Sequence, residues 1–258
     1  MSTLFMSNNY GVASTTDYTI TTGTANSQFP IENLRDPHTT KVFRSTGNTV
    51  EFTVDIKGLQ TLDSFCLTGS SVDGLSLTAC NIYLSPTNNF SGVTPKAVNL
   101  SSEFNFGYVT FSEESARYMR ISLTGNGSYC ELSNFYIGAA TSFTNNGIDQ
   151  ASFKYEFVDN AKISKNKYNQ KFINTYTTVK TLRGAIKTMN STEFTTLNDL
   201  YKTHGVSEPI WVMFDSSGSI VTDGEYIFSG YYYFASQPKF STRSGLLFDS
   251  NMVLEGAG

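Results

Sequence analysis

A mainly β protein, a sandwich followed by a second β-rich domain carrying one helix, is the fold class this sequence predicts, and three observations predict it. Only 16% of residues are charged and 14% are aromatic, while Ser, Thr, Asn and Gly are abundant and the strong helix formers are sparse. Val50, Phe52, Val54 and Ile56 alternate with Glu51, Thr53 and Asp55, the period-2 pattern of a half-buried antiparallel strand. One stretch alone, between Asn190 and His204, has both a helical apolar stripe and helix-end chemistry.

The elements follow in order. Residues 13–28 predict a weak opening edge strand through Tyr18 and Ile20. From Phe29 to Gly47 the chain makes an ordered irregular excursion, because Pro30 and Pro37 fix their own φ and push Phe29 and Asp36 towards extended backbone. After the Val50 strand come Leu59 to Ser71, a turn at 72–74, and Leu75 to Leu84, apolar on both faces as in a sandwich interior. Ser85 to Leu100 is a loop presenting Phe90. Tyr108 to Phe111 and Arg117 to Leu123 are two strands, then Gly125-Asn126-Gly127 predicts a hairpin turn into a closing strand, Cys130 to Ile137. Residues 141–150, with Asn145-Asn146-Gly147, read as a linker between a domain at 1–140 and another at 151–258. The second domain offers strands at Ser152 to Val158, Phe172 to Lys187, Ile210 to Phe214, Tyr226 to Phe234 and Gly245 to Leu254. In its helix Asn190 caps, Glu193 completes a capping box, Phe194, Leu197, Leu200 and Tyr201 form the stripe, and Lys202 and His204 suit the C-terminal dipole before Gly205.

Charge and motif content exclude several functions. A net charge of −4 argues against nucleic-acid binding, which needs a basic footprint. Cys66, Cys80 and Cys130 fit neither a disulfide framework nor a zinc pattern and read as buried reduced thiols. No signal peptide and no membrane-spanning apolar run is visible, so a soluble protein made in a cytoplasm is expected. His38 and His204 lack the partners of a general base, and no nucleophile elbow, phosphate loop or paired-histidine motif occurs. Glu113 and Glu114 read as a solvated turn, and Glu32 and Asp36 are too few to hold calcium. The expectation is therefore no enzyme, no cofactor and no metal. Lys154, Lys162, Lys165, Lys167, Lys171, Lys180, Arg183 and Lys187, against Glu156 and Asp159, make a basic segment interleaved with Tyr155, Tyr168, Phe172 and Tyr176. It reads as a solvated hairpin, a nucleic-acid groove or, most economically, an arm contacting an acidic neighbouring subunit.

Ala116-Arg117-Tyr118-Met119-Arg120-Ile121-Ser122-Leu123, with Glu131-Leu132-Ser133-Asn134-Phe135-Tyr136-Ile137-Gly138, resembles the last core strands of discoidin-like, galactose-binding-like jelly rolls. Val42-Phe43-Arg44-Ser45-Thr46 resembles that family's loop segment, with Phe43 where Trp is usual. Ile31-Glu32-Asn33-Leu34-Arg35-Asp36-Pro37 followed by Val42 to Gly47 resembles tail proteins of long-tailed bacteriophages. These resemblances imply a jelly-roll sandwich joined to a tube-like or hub-like domain, in a tail-tip or baseplate structural protein of the virion that forms a homo-oligomeric ring with other tail proteins. Lys162, Lys165, Lys167, Tyr168, Lys171, Phe172 and Tyr176 would make the subunit contact. The alternative is a carbohydrate-binding module recognising a host-surface glycan through Phe90, Phe106, Tyr108 and Arg44.

Overall fold

The structure, a computed structural model, describes residues 3–6, 8–11, 15–36, 40–70, 74–101, 105–143, 147–149, 151–158, 162–165, 171–174, 179–214, 229–243 and 247–256. Two compact units emerge. The first comprises Leu4–Thr141 and Trp211–Gly230, and the second Met1–Thr3, Ser142–Ile210 and Tyr231–Gly258. The protein is mainly β with one α-helix among the described residues.

Alternation along two strands builds the first unit. Thr49–Thr68 and Phe106–Gly125, 20 residues each, pair antiparallel from Thr49↔Thr124 to Thr68↔Phe106. Each merges two strands that the sequence presents separately. The breaks lie between Asp55 and Gln60 and between Leu62 and Ser64, and Lys57 takes a φ of 64° in the first of them. Its amide donates to Asp55 Oδ1 at 2.8 Å, so the irregular turn is satisfied locally without ending the strand.

Leu77–Ser85 pairs along the other edge of Phe106–Gly125, from Leu77↔Gly125 to Ser85↔Tyr118. Register makes apolar rows across the three strands: Val50–Leu123–Cys80, Phe52–Ile121–Ile82 and Val54–Met119–Leu84, all buried. The alternate rows, Glu51–Ser122–Asn81 and Thr53–Arg120–Tyr83, point to the opposite face. A short 3-10 helix, Ile31–Arg35, buries Ile31 and Leu34 in the same core, where Phe43 meets Phe52 edge-on at 5.7 Å.

The closing strand departs from the hairpin expectation. After Gly125 the chain does not return along the strand it has left. Glu131–Leu132 pairs with Phe43–Arg44, and Asn134–Gly138 pairs with Thr49–Thr68 from Asn134↔Thr68 to Gly138↔Ser64. Phe135 then stacks on Phe65 at 6.0 Å, contact that a simple hairpin would forfeit. Cys66, Cys80 and Cys130 are free and buried, and burial pushes all three thiol pKa values up.

In the second unit Val179–Met189 lies between Lys154–Val158 and Leu247–Gly256, and the last also pairs with Lys239–Arg243 and with Tyr232, Tyr233 and Phe234. The helix spans Ser191–His204. Its capping box is complete: Glu193 N–H donates to Asn190 Oδ1 and Asn190 N–H to Glu193 Oε2, both at 2.9 Å. Leu197 and Leu200 are buried, Phe194 stacks on Phe248 at 4.5 Å, and Tyr201 meets Phe234 edge-on at 5.5 Å. The stripe thus covers the sheet. In the 141–150 segment, Ile148 is buried, bridges Ile186 and donates its amide to Thr3 Oγ1, while Asp149 pairs with Lys187 at 2.6 Å. Spacing alone conceals these anchors because only Phe143 and Ile148 are large and apolar there.

His204 is buried beside Glu208, its Nδ1 3.7 Å from Oε2. Burial lowers its pKa below the ordinary 6.5, and Glu208 only partly opposes that. The unfolded chain therefore binds the proton first as pH falls through 6.5, and stability drops below that pH. Thermal melts from pH 7.5 to 5 should show a steeper loss of Tm in the wild type than in His204→Gln.

Candidate functional site

The residues that the sequence offers for glycan contact do not converge. Phe106 is 1% exposed, stacked on Tyr108 at 6.3 Å and tilted against Trp211 at 5.9 Å. Tyr108 is 7% exposed. Both are core residues, which corrects their expected role as sugar platforms: a buried ring has no face to offer. The run Phe106 to Phe111 is apolar on both faces, Phe106 and Tyr108 on one and Val109 and Phe111 on the other, and sequence cannot say which face is covered by a distant segment such as the one bearing Trp211.

Phe90 is part-exposed. It follows Ser85, the last residue of Leu77–Ser85, which opposes Tyr118 while the two long strands run on to Thr68↔Phe106. Ser85 Oγ donates to Asn89 O at 2.8 Å and Ser91 N–H to Asn89 Oδ1 at 3.0 Å, so an ordered turn presents the ring. The Arg120 guanidinium lies 5.0 Å from the Phe90 centroid and 4.2 Å from that of Tyr83.

Arg44 belongs to the opposite end. Residues 45–48 lead from it into Thr49, which opposes Thr124, and the neighbouring strand begins where Leu77 opposes Gly125. Its backbone is fixed on both sides: Arg44 N–H donates to Phe29 O at 3.1 Å, and Asn26 N–H to Arg44 O at 2.8 Å. Ser45 Oγ accepts from Cys130 N–H at 2.8 Å, tying the next residue to the 126–130 loop. That loop folds back tightly over Gly125, where a Cβ would sit 2.1 Å from Tyr129 O, so only glycine is accommodated.

The side chain is held as firmly. Arg44 Nε donates to Glu131 Oε2 at 2.6 Å and Nη2 contacts the same oxygen. Glu131 is wholly buried, and its Oε1 has no hydrogen-bond donor among the described residues. A carboxylate so desolvated needs its cation, and the pair fixes the guanidinium plane. Phe29 lies 4.6 Å and Tyr129 4.3 Å from Arg44 Cζ. Both rings are part-exposed, and exposed Thr24, Gln28, Thr46, Asn48, Asn126 and Ser128 surround them in sequence.

Sequence reasoning found Arg44 and missed Phe29, Tyr129 and Glu131 as its companions. Pairing of Phe43–Arg44 with Glu131–Leu132 is the missing fact, because it joins positions far apart in the chain. Of the expected subunit-contact residues, Lys162, Lys165, Lys171 and Phe172 lie on two antiparallel strands, Lys162–Lys165 and Lys171–Asn174, whose side chains are outside the described set. Lys167, Tyr168 and Tyr176 lie outside the described residues. Elsewhere in the basic segment Arg183 pairs with Glu156 and Lys187 with Asp149. Among the described residues no group of three or more His, Cys, Asp or Glu could hold a metal ion, and no helix is long and apolar enough to cross a membrane.

No family model matches the chain, and no curated protein matches it. Solved structures similar to about half of it include a CBM32 module from Clostridium perfringens in complex with GalNAc-beta-1,3-galactose, 12% identical, covering 48% of this chain and 95% of that one with a TM-score of 0.42. A chitosan-binding module of a Paenibacillus chitosanase/glucanase is 16% identical and covers 51% of this chain and 99% of its own, also with a TM-score of 0.42. A fucose-binding module from Streptococcus pneumoniae is 13% identical, with 51% and 98% covered and the same TM-score of 0.42. A likeness this distant carries no argument about ligand.

Core and surface aromatics separate in a stability measurement. Phe106→Ala should cost about 3–5 kcal/mol in urea unfolding, by cavity formation. Phe90→Ala should cost under about 1 kcal/mol, as expected at a surface position.

Proposed function

We propose that the first unit binds a carbohydrate at the loop end that carries Arg44. One observation supports this reading above the others: a guanidinium locked by a buried carboxylate between two part-exposed aromatic rings. A sugar ring has an apolar C–H face and a rim of hydroxyls. An aromatic ring fits the first, and a rigid planar fork of donors fits the second. Fixing these groups in advance removes the entropy that a flexible arginine would lose on binding. Exposed Gln28, Asn48, Asn126 and Ser128 add amide and hydroxyl groups on the same loops.

The reading involves recognition and no chemical step. The tail-structural reading rests on the wording of residues 31–47 and on the basic segment, and no feature described above favours it over glycan binding.

The test uses the full chain on a glycan array, followed by calorimetry on the best ligand. Tyr129→Ala and Arg44→Lys should each weaken binding at least tenfold, while Phe90→Ala, beyond the other end of Leu77–Ser85, should leave it within about twofold. Absence of any bound glycan, or full affinity in Tyr129→Ala, overturns the assignment. Arg44→Lys retains the positive charge beside Glu131, so a loss of affinity there reports the lost fork rather than a stranded carboxylate.

A further inference from the structure

The sheet of the second unit has an open margin. Lys154–Val158 pairs with Val179–Met189 on one side, from Lys154↔Arg183 to Val158↔Val179, and among the described residues it has no strand on the other. Phe157 on this strand is 61% exposed, an unusual position for a phenylalanine, and it meets Tyr155 edge-on at 5.2 Å. Lys154 and Glu156 are exposed on the alternate positions. An unpaired edge that also shows an aromatic ring is a template for another strand.

We propose that this edge pairs with the same strand of a second copy of the chain, antiparallel, about a two-fold axis through Tyr155. The register follows from charge and parity. Residues directly opposed in an antiparallel pair share a sheet face, so a symmetric pairing must centre on a residue rather than between two. Centring on Glu156 sets two carboxylates against each other, and centring on Lys154 sets two ammonium groups together. Centring on Tyr155 opposes Lys154 of each copy with Glu156 of the other, twice. It also opposes Phe153 with Phe157 twice and Tyr155 with itself, giving one aromatic face. The charged pairs set register: matched, each adds little because it remains solvated, but reversing one residue sets two like-charged pairs across the axis and works against the contact twice. The aromatic face supplies the apolar area, and each copy removes its exposed Phe157 from water. Glu156 already accepts from Arg183 Nε at 2.7 Å on its own sheet, which leaves its other oxygen for the opposing lysine. The contact is isologous and closes at two copies through this edge. It stands independently of the glycan reading.

Light-scattering mass after gel filtration of the full chain tests the pairing. The wild type should run at twice the 28.5 kDa of one chain. Lys154→Glu and Glu156→Lys should each halve that mass by opposing like charges. The double variant K154E/E156K reverses both partners together and should restore the doubled mass, a recovery that misfolding of a single variant would not allow. Phe157→Lys should give a monomer at low and high salt alike. A wild type of single-chain mass across the accessible concentration range overturns the proposal. So do single charge reversals that leave the doubled mass intact, or a double variant that stays monomeric.

Discussion

The pairing of Thr49–Thr68 with Phe106–Gly125 is the constraint on which the first unit depends. Every other strand of that sheet attaches to one of these two, directly or through Leu77–Ser85. Because side chains alternate, a one-residue slip would carry Phe52, Val54, Met119 and Ile121 from the core to the outer face and bring Thr53 and Arg120 inside. Register is therefore fixed by burial from Val50 to Ile56, whereas residues 57–61 are exposed or half-buried. The irregular turns between Asp55 and Ser64 shift the phase of this strand by one residue, so its core positions are even-numbered from Val50 to Leu62 and odd-numbered at Phe65 and Leu67.

That rigidity decides what the loops can do. Gly125 and Asn48 leave the same end of the long pair, and the Gly125 amide donates to Asn48 O at 2.8 Å. The segments carrying Arg44 and Tyr129 are thus held together from below, while the pairing of Phe43–Arg44 with Glu131–Leu132 holds them from the side. Arg120 offers an instructive contrast. It too lies against two rings, yet it rises from the middle of a sheet row and has no carboxylate partner among the described residues. Arg44 is anchored by a charge that cannot easily be left alone, so its geometry is set by electrostatics as well as by packing.

Sequence reading recovered what local physics determines. The helix was legible in full, because its caps lie within one turn of its ends and its stripe repeats at the helical period. The Val50 to Ile56 alternation marks the core face of the first part of Thr49–Thr68. Non-local facts were not legible. The destination of the strand after Gly125 is set by stacking of Phe135 on Phe65, and the burial of Phe106 by Trp211, neither of which leaves a trace in spacing. The same holds for the candidate site. Arg44 stood out for its chemistry, whereas Glu131 looked like an ordinary strand residue until pairing set it beside the arginine.

The three cysteines carry a separate implication. Cys66, Cys80 and Cys130 sit in the interior as protonated thiols and contribute volume rather than reactivity, so none is disposed to attack a disulfide or an electrophile. None of the three is cross-linked, so this fold is held together without a disulfide between them. No bond between these three side chains has to be made or broken for the first unit to reach this packing.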